Sequence, residues 1–200
     1  MKRRNFILTT LASIPSVGFS QIKNIITMRT NKGFKVGSGE ARFGTHYKMK
    51  GVTLNTLDIK ISGKDTAGDL AVFEQTGLTP NGGPPLHIHP YQDELFYVVE
   101  GEYLFQVDEE KYKMKPGDTI FLPRNVKHAF VQLTEKAKTI VSYQPAGKME
   151  EFFAATVKWT APPTLEEIGK VFADHEMQVV GPPLKIVYYN GQAMFNNFIK

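Results

Sequence analysis

The chain of 200 residues is long enough for one domain with an accessory segment, and its 42% hydrophobic and 22% charged residues exclude disorder over most of its length. Cysteine is absent, which excludes disulfide bonds and a thiol nucleophile. No apolar run approaches the roughly 18 residues of a membrane span. The formal net charge of +4 does not indicate nucleic-acid binding, because Lys2, Arg3 and Arg4 carry most of it and no basic cluster with interleaved aromatic residues follows.

The first 20 residues, MKRRNFILTTLASIPSVGFS, have a basic start, a mildly apolar stretch and small residues at the end. This layout is typical of an export signal. Arg3-Arg4-Asn5-Phe6-Ile7 also resembles the twin-arginine signal, in which two arginines precede a variable residue and two apolar ones. We therefore predict export to the bacterial periplasm. A basic N-terminus on a cytoplasmic protein is the alternative.

Residues 21–54 show no clear periodicity and are interpreted as a lead-in segment that can add an edge strand or a dimer contact. From residue 55 to 145 short segments rich in Val, Ile, Phe, Tyr and Thr alternate with turn clusters. The predicted strands cover residues 57–62, 70–77, 86–89, 95–99, 103–107, 112–114, 118–122, 128–133 and 139–143. Short strands at such regular spacing favour an all-β sandwich or barrel.

The pattern changes in residues 146–200, which we predict to be a helical extension packed on the barrel. A short helix is indicated over residues 148–158. Thr164 and Glu167 have the spacing of a capping box, so a second helix should begin there and run to about residue 175. The aromatic residues after residue 187 are expected to pack on the barrel or on a second subunit.

Two histidines, His87 and His89, stand one residue apart in a β-like stretch, so their side chains point to the same face. Glu94 follows after a short turn, and His128 lies at the end of a second β-like unit, GDTIFLPRNVKHAF. Three imidazoles and a carboxylate suit Fe, Mn, Co, Ni, Cu or Zn better than Mg or Ca. A metal-free polar network is the alternative, and it is disfavoured because a buried carboxylate needs a compensating charge.

These residues have the spacing of the cupins, which the chain resembles. The first cupin motif is Gly, five residues, His-x-His, three or four residues, Glu, six residues and Gly. The chain fits it with His87, His89, Glu94 and Gly101, while Gly82 stands one position too close. The second motif is Gly, five residues, Pro-x-Gly, two residues, His, three residues and Asn. Gly117, Pro123 and His128 match it, whereas Asn125 replaces the inner glycine and Gln132 the final asparagine.

The resemblance implies a cupin fold, a double-stranded β-helix or jelly-roll barrel, over residues 55–145. It implies one divalent transition metal held by His87, His89, Glu94 and His128, and a homodimer. Because side chains alternate along a strand, Phe96 and Val98 should point inward with Glu94, and Phe130 and Gln132 with His128. These four residues are the predicted lining of a substrate pocket.

Three further side chains receive an ordinary structural interpretation. His46 lies outside both motifs and is expected to be a polar residue without a role in the site. His175 is expected to interact with the C-terminal end of its helix rather than with a metal. Trp159 is expected to anchor the helical extension rather than to touch a substrate.

The wider stretch around the first motif is similar to single-domain bacterial cupins of the quercetin 2,3-dioxygenase-like type. This similarity implies a metal-dependent dioxygenase that acts on a small hydroxylated organic substrate, with Glu94 as a candidate general base. A cupin sugar isomerase or epimerase is one alternative, although no added Lys or Glu constellation for a sugar phosphate is present. A non-catalytic cupin that binds a metal or a ligand is the other.

Overall fold

The computed structural model describes residues 29–51, 54–189 and 192–194. The predicted export signal, residues 1–20, lies outside these ranges, and so do Phe195 and Phe198 of the aromatic tail. Export and homodimer formation therefore stay predictions. Within the described ranges, none of the helices has both the length and the apolar character needed to cross a membrane.

Strands account for most of the regular structure, as the sequence predicts. In chain order they are β1 (His46–Met49), β2 (Asn55–Ile61), β3 (Ala71–Gly77), β4 (Pro85–Ile88), β5 (Asp93–Glu100), β6 (Tyr103–Val107), β7 (Glu110–Met114), β8 (Thr119–Leu122), β9 (His128–Gln132), β10 (Ala137–Gln144), β11 (Gln178–Pro183), β12 (Val187–Tyr189) and β13 (Gln192–Met194). Two helices, α1 (Met149–Thr156) and α2 (Leu165–Asp174), lie between β10 and β11.

Two antiparallel sheets form the barrel. The first has the strand order β1-β2-β3-β10-β5-β8, and the second has the order β11-β4-β9-β6-β7. Strands that are distant in the chain are neighbours in both sheets, since β10 lies between β3 and β5 and β9 lies between β4 and β6. This interleaving is the jelly-roll arrangement that the resemblance implies. A small separate sheet pairs β12 with β13.

The core lies between the sheets and is dominated by phenylalanine. Phe96 on β5 meets Phe105 on β6 at a ring-centroid distance of 5.1 Å and Phe130 on β9 at 5.4 Å. Both separations are typical of edge-to-face aromatic pairs, which stabilise a core beyond their buried area. The alternation along β5, with Glu94, Phe96 and Val98 buried and Leu95 and Tyr97 exposed, places Glu94 on the same inner face as this cluster.

Two positions show why the turns flanking the site have their particular residues. A Cβ atom at Gly83 would lie 1.8 Å from the backbone oxygen of Phe130, so only glycine allows the chain to pass β9 this closely before β4 begins. Asn125, which stands where the second motif has glycine, has a φ of 65°. Asparagine tolerates this left-handed conformation better than most residues, which explains the substitution.

The C-terminal segment contains the predicted helices and, in addition, strands that the sequence analysis did not predict. The capping box is present, because the Thr164 hydroxyl accepts a hydrogen bond from the backbone NH of Glu167 and the Glu167 carboxylate accepts one from Thr164. After α2, however, the chain returns to the barrel as β11 and pairs with β4, with Val179 opposite His87. Without β11, strand β4 would be an unpaired edge of the sheet.

The lead-in segment does contribute an edge strand, β1, which pairs with β2. The predicted boundary at residue 54 therefore separates one strand of the sheet from its neighbours. The sequence analysis did not predict this strand because polar residues alternate along it. A strand at the exposed edge of a sheet needs no continuous apolar pattern.

Changing Gly83 to Ala should lower the free energy of unfolding by about 1–3 kcal/mol, because the added methyl group collides with backbone rather than with a movable side chain. Gly169 offers a matched control, since a Cβ there meets nothing within 4 Å in the middle of α2. Gly169→Ala should raise the stability by roughly 0.5–1 kcal/mol. Urea denaturation of both variants measures this, and effects of the same sign would contradict the assigned close approach.

Candidate metal centre

The two sheets bring the four predicted ligands together from three strands and one turn. His87 lies on β4 directly opposite His128 on β9. His89 follows the end of β4, and Glu94 lies on β5 in the facing sheet. All four side chains are buried, with His89 1% and Glu94 3% exposed, and their ligand atoms lie within 4.8 Å of one another.

The nitrogen and oxygen atoms converge on one point between the sheets. The Nε2 atoms of His87 and His89 are 3.1 Å apart. Glu94 Oε2 lies 3.0 Å from His128 Nε2 and 3.7 Å from His89 Nε2. Each residue therefore directs one electron-pair donor toward the same small volume.

Backbone carbonyl groups orient two of the imidazoles. The Nδ1–H of His87 donates to the oxygen of Pro85 at 2.8 Å, and the Nδ1–H of His128 donates to the oxygen of Val126 at 3.0 Å. A carbonyl oxygen only accepts hydrogen bonds, so in the neutral rings Nε2 carries the lone pair and faces the cluster. Such a hydrogen bond on the outer ring nitrogen is the usual support of a metal-bound histidine.

These distances fit a shared metal ion. Two donors about 2.1 Å from one ion and at right angles to each other are about 3.0 Å apart, close to the shortest separations in the cluster. Without a cation, His89 must carry its proton on Nε2 to avoid facing the His87 lone pair, and its buried Nδ1 then has no hydrogen-bond partner in the described chain, which costs free energy. The residues therefore fit a transition-metal centre with mixed nitrogen and oxygen ligands. Their role as ligands, and the identity of the metal, remain predictions.

Burial and mutual proximity set the protonation states. Burial lowers the pKa of His89 to about 4, and burial together with the neighbouring imidazoles holds the pKa of His87 well below its ordinary value. For Glu94 burial raises the pKa, but the close contact with His128 and the proximity of His89 outweigh it, so its pKa is lowered. At neutral pH the buried Glu94 carboxylate thus lies beside unprotonated His87 and His89, an arrangement in which a divalent cation can compensate the carboxylate.

The sequence analysis missed Tyr143, a buried residue on β10 directly opposite Glu94. Its hydroxyl interacts with the Glu94 carboxylate and helps to lower the pKa of that group, and its ring lies 5.6 Å from the His89 ring. Burial and the nearby Glu94 charge raise the pKa of Tyr143 well above its ordinary value, so the hydroxyl keeps its proton beside the carboxylate. The predicted strand 139–143 included this tyrosine, but only the register of β10 against β5 reveals its partner.

A cavity opens onto the cluster from inside the barrel. Among the predicted pocket residues, Phe96 and Phe130 line it. Val98 and Gln132 are buried but do not line it, and the substrate-pocket lining stays a prediction. Alternation placed both side chains on the inner faces, but Val98 lies further along β5 toward Gly101, and the Gln132 amide turns to the backbone oxygen of Thr134 at 2.7 Å.

The C-terminal segment supplies much of the cavity wall, which the sequence analysis did not predict. The lining residues from this segment are Met149, Phe152, Phe153, Thr156, Trp159, Phe172 and Met177. Trp159 therefore borders the cavity and is not only an anchor of the extension. Phe172 also packs against the His87 ring, with centroids 5.3 Å apart, so the helices help to bury the cluster itself.

The remaining two histidines lie outside the cluster, as predicted. The Nδ1 atom of His46 is 2.7 Å from Asp58 Oδ1. The Nδ1 atom of His175 hydrogen-bonds the oxygen of Val171 at the C-terminal end of α2 at 2.7 Å.

Comparison with known proteins agrees with this architecture. Residues 67–143 match the family model of the cupin domain. The chain is 31% identical to quercetin 2,3-dioxygenase of Bacillus subtilis over an alignment of 91 residues. This alignment covers 45% of this chain and 26% of that protein. The chain is also 42% identical over 43 residues to the uncharacterised protein MJ1618 of Methanocaldococcus jannaschii. This second alignment covers 22% of this chain and 34% of that protein. The chain therefore matches no more than about a third of either relative's length.

A solved structure, an RmlC-like cupin from Shewanella frigidimarina, superposes with a TM-score of 0.49 and 21% identity over 62% of this chain and 99% of that chain. Two interleaved antiparallel sheets around a buried His-His-Glu-His cluster define a jelly-roll barrel with a candidate metal centre. The family-model match and the paired motifs show that the chain contains a cupin domain over residues 67–143.

Purified protein incubated with Fe²⁺, Mn²⁺, Co²⁺, Ni²⁺, Cu²⁺ or Zn²⁺ should retain about one ion per chain after desalting. Changing His89 to Ala should lower the affinity for the ion by at least roughly 100-fold, because it removes a ligand atom. Loss of a residue that only hydrogen-bonds a metal ligand already lowers metal affinity by about 10–100-fold. His175→Ala is the matched control and should retain the ion. Metal analysis by mass spectrometry measures both, and equal retention by the two variants would overturn the assigned centre.

The metal-free protein should become less stable as the pH falls from about 6.5 toward 4. In that window the unfolded chain binds protons on His87 and His89, whereas their lowered pKa values keep the folded cluster unprotonated, so protonation favours unfolding. The lowered pKa of Glu94 also makes the folded protein less stable as the pH falls below 4.5, the ordinary pKa of a glutamate side chain. Urea denaturation across this range should show a shallower slope for His89→Gln, and identical slopes would contradict the assignment.

Proposed function

We propose that this cupin is a metal-dependent dioxygenase that inserts both atoms of dioxygen into a small hydroxylated organic substrate. The observation that carries the proposal is the position of the buried His-His-Glu-His cluster at the wall of an apolar, aromatic-lined cavity. Four protein ligands would leave coordination positions of a six-coordinate ion open for reactants. The quercetin 2,3-dioxygenase of Bacillus subtilis, a relative over 91 residues, supports this reaction class.

His87, His89, Glu94 and His128 would hold the ion. When bound, the ion supplies a Lewis acid that stabilises negative charge on a substrate oxygen. The protein contributes the orientation of the imidazoles through the carbonyl groups of Pro85 and Val126. It also contributes a cavity whose apolar walls exclude water from the reactants.

Glu94 is the residue that we propose to accept the proton of a substrate hydroxyl. Its lowered pKa keeps the carboxylate ionised at neutral pH, and it borders the cavity directly. Tyr143 lies opposite Glu94 on the neighbouring strand, and we propose that its hydroxyl orients the carboxylate. Tyr143 is a positioning residue here, because its raised pKa leaves it no role as a base.

The charge of the cavity argues against the sugar isomerase alternative. Glu94 is the one lining residue with an ionisable carboxylate, and in the described part of the chain no Lys or Arg lines the cavity. A phosphate group in an apolar cavity needs such a cation. Measurement of oxygen consumption distinguishes the dioxygenase from a non-catalytic cupin that binds a metal or a ligand.

Anaerobic reconstitution with each candidate metal, followed by a screen of flavonols and other enediol-like aromatic compounds, should reveal consumption of one dioxygen per substrate. Glu94→Gln should reduce turnover by about 10²–10⁴-fold, the usual contribution of a general base. Glu100→Gln, on the exposed end of the same strand, is the matched control and should keep full turnover.

An oxygen electrode and metal analysis on the same samples separate the roles of Glu94. Full turnover by a metal-loaded Glu94→Gln variant would rule out Glu94 as the general base. Metal loading without oxygen consumption across the whole screen would favour the non-catalytic alternative.

A further inference from the structure

Apart from the candidate metal centre, the polar residues that line the cavity include Gln75, together with Asn55 and Thr156. Gln75 lies on β3 and is 6% exposed. Across the described part of the chain its side-chain amide makes no hydrogen bond, and the amide atoms are not among the fully buried atoms without a partner, so the amide faces the open volume of the cavity. An amide that no protein group engages at the wall of an apolar cavity points to a ligand group.

Strand register places Gln75 away from the cluster. Glu94 on β5 pairs with Tyr143 on β10, and Tyr143 pairs with Ala71 on β3. Gln75 lies four residues further along β3, a distance of about 13 Å at 3.3 Å per residue. Phe73 stands between them on the same inner face and packs against both Tyr143 and Phe153.

The walls between these two ends are apolar and largely aromatic. They include Phe96, Phe130, Phe152, Phe153 and Trp159. Flat aromatic faces favour an aromatic ligand through stacked and edge-to-face contacts. Since no described Lys or Arg lines the cavity, nothing near Gln75 compensates a negative charge on a ligand.

We propose that Gln75 is a specificity-determining residue, whose amide hydrogen-bonds an uncharged oxygen group at the far end of an aromatic ligand. The other end of the ligand presents its chelating oxygens to the His-Glu cluster. The inference deepens the proposed function and rests on it for the orientation of the ligand. An amide both donates and accepts, so it suits a phenolic hydroxyl or a carbonyl group and disfavours a carboxylate or a phosphate.

The chain contains a single tryptophan, Trp159, and it borders the cavity, so intrinsic fluorescence reports binding without any need for turnover. The probes are 3-hydroxyflavone and 3,4′-dihydroxyflavone, which share the chelating end and differ in one distal hydroxyl. Metal-loaded, full-length protein under anaerobic conditions should bind 3,4′-dihydroxyflavone about tenfold more tightly, the factor that corresponds to one hydrogen bond of ~1.4 kcal/mol.

Gln75→Met should remove this preference and leave the affinity for 3-hydroxyflavone within about twofold, because Met has a similar shape and no amide. Gln106→Met is the matched control on β6, where the amide donates to the oxygen of Asp108 outside the cavity. The control should keep the tenfold preference. If Gln75→Met fails to fold, the preference of the wild-type protein for the two probes still tests the inference.

The outcomes separate this inference from the dioxygenase proposal. A preference that Gln75→Met abolishes, in protein that consumes no oxygen, supports the polar subsite and overturns the dioxygenase. Equal binding of both probes by the wild-type protein, with or without oxygen consumption, overturns the subsite. Absence of binding by either probe, or tighter binding of a 4′-carboxylate analogue, overturns the neutral aromatic ligand.

Discussion

The candidate site depends on one cross-strand pair, His87 opposite His128 in neighbouring antiparallel strands. A slip of one residue between β4 and β9 would turn one of these side chains to the other face of the sheet and dismantle the cluster. Gly83 allows the close approach that precedes β4, and β11 covers the outer edge of that strand. The carbonyl groups of Pro85 and Val126 then set the direction of each ring.

The C-terminal segment changes the electrostatics of this pair as well as its packing. Phe172 packs on the His87 ring, and α1 closes the cavity with Phe152 and Phe153. This apolar cover removes water from the imidazoles, which lowers the pKa values of His87 and His89. The same burial would make a lone carboxylate costly, so the helices and the candidate ion belong to one physical arrangement.

The motif spacing was sufficient to predict the barrel and the four candidate ligands, because alternation and short turns place such residues locally. Alternation also identified Phe96 and Phe130 as cavity residues. It was not sufficient for Val98 and Gln132, since an inward-pointing side chain can face the core at any level of the barrel. The depth of a residue along the barrel axis depends on strand register, which no single strand encodes.

The sequence by itself determined the strands, the paired motifs, the capping box at Thr164 and the residue types of the candidate metal centre. Only the tertiary structure decided that β11 returns to the barrel, that Tyr143 lies opposite Glu94 and that Gln75 lines the same cavity. These relations join residues on strands and helices that are distant in the chain. They arise from sheet register and from helices packing on the barrel, which a local pattern of residues cannot specify.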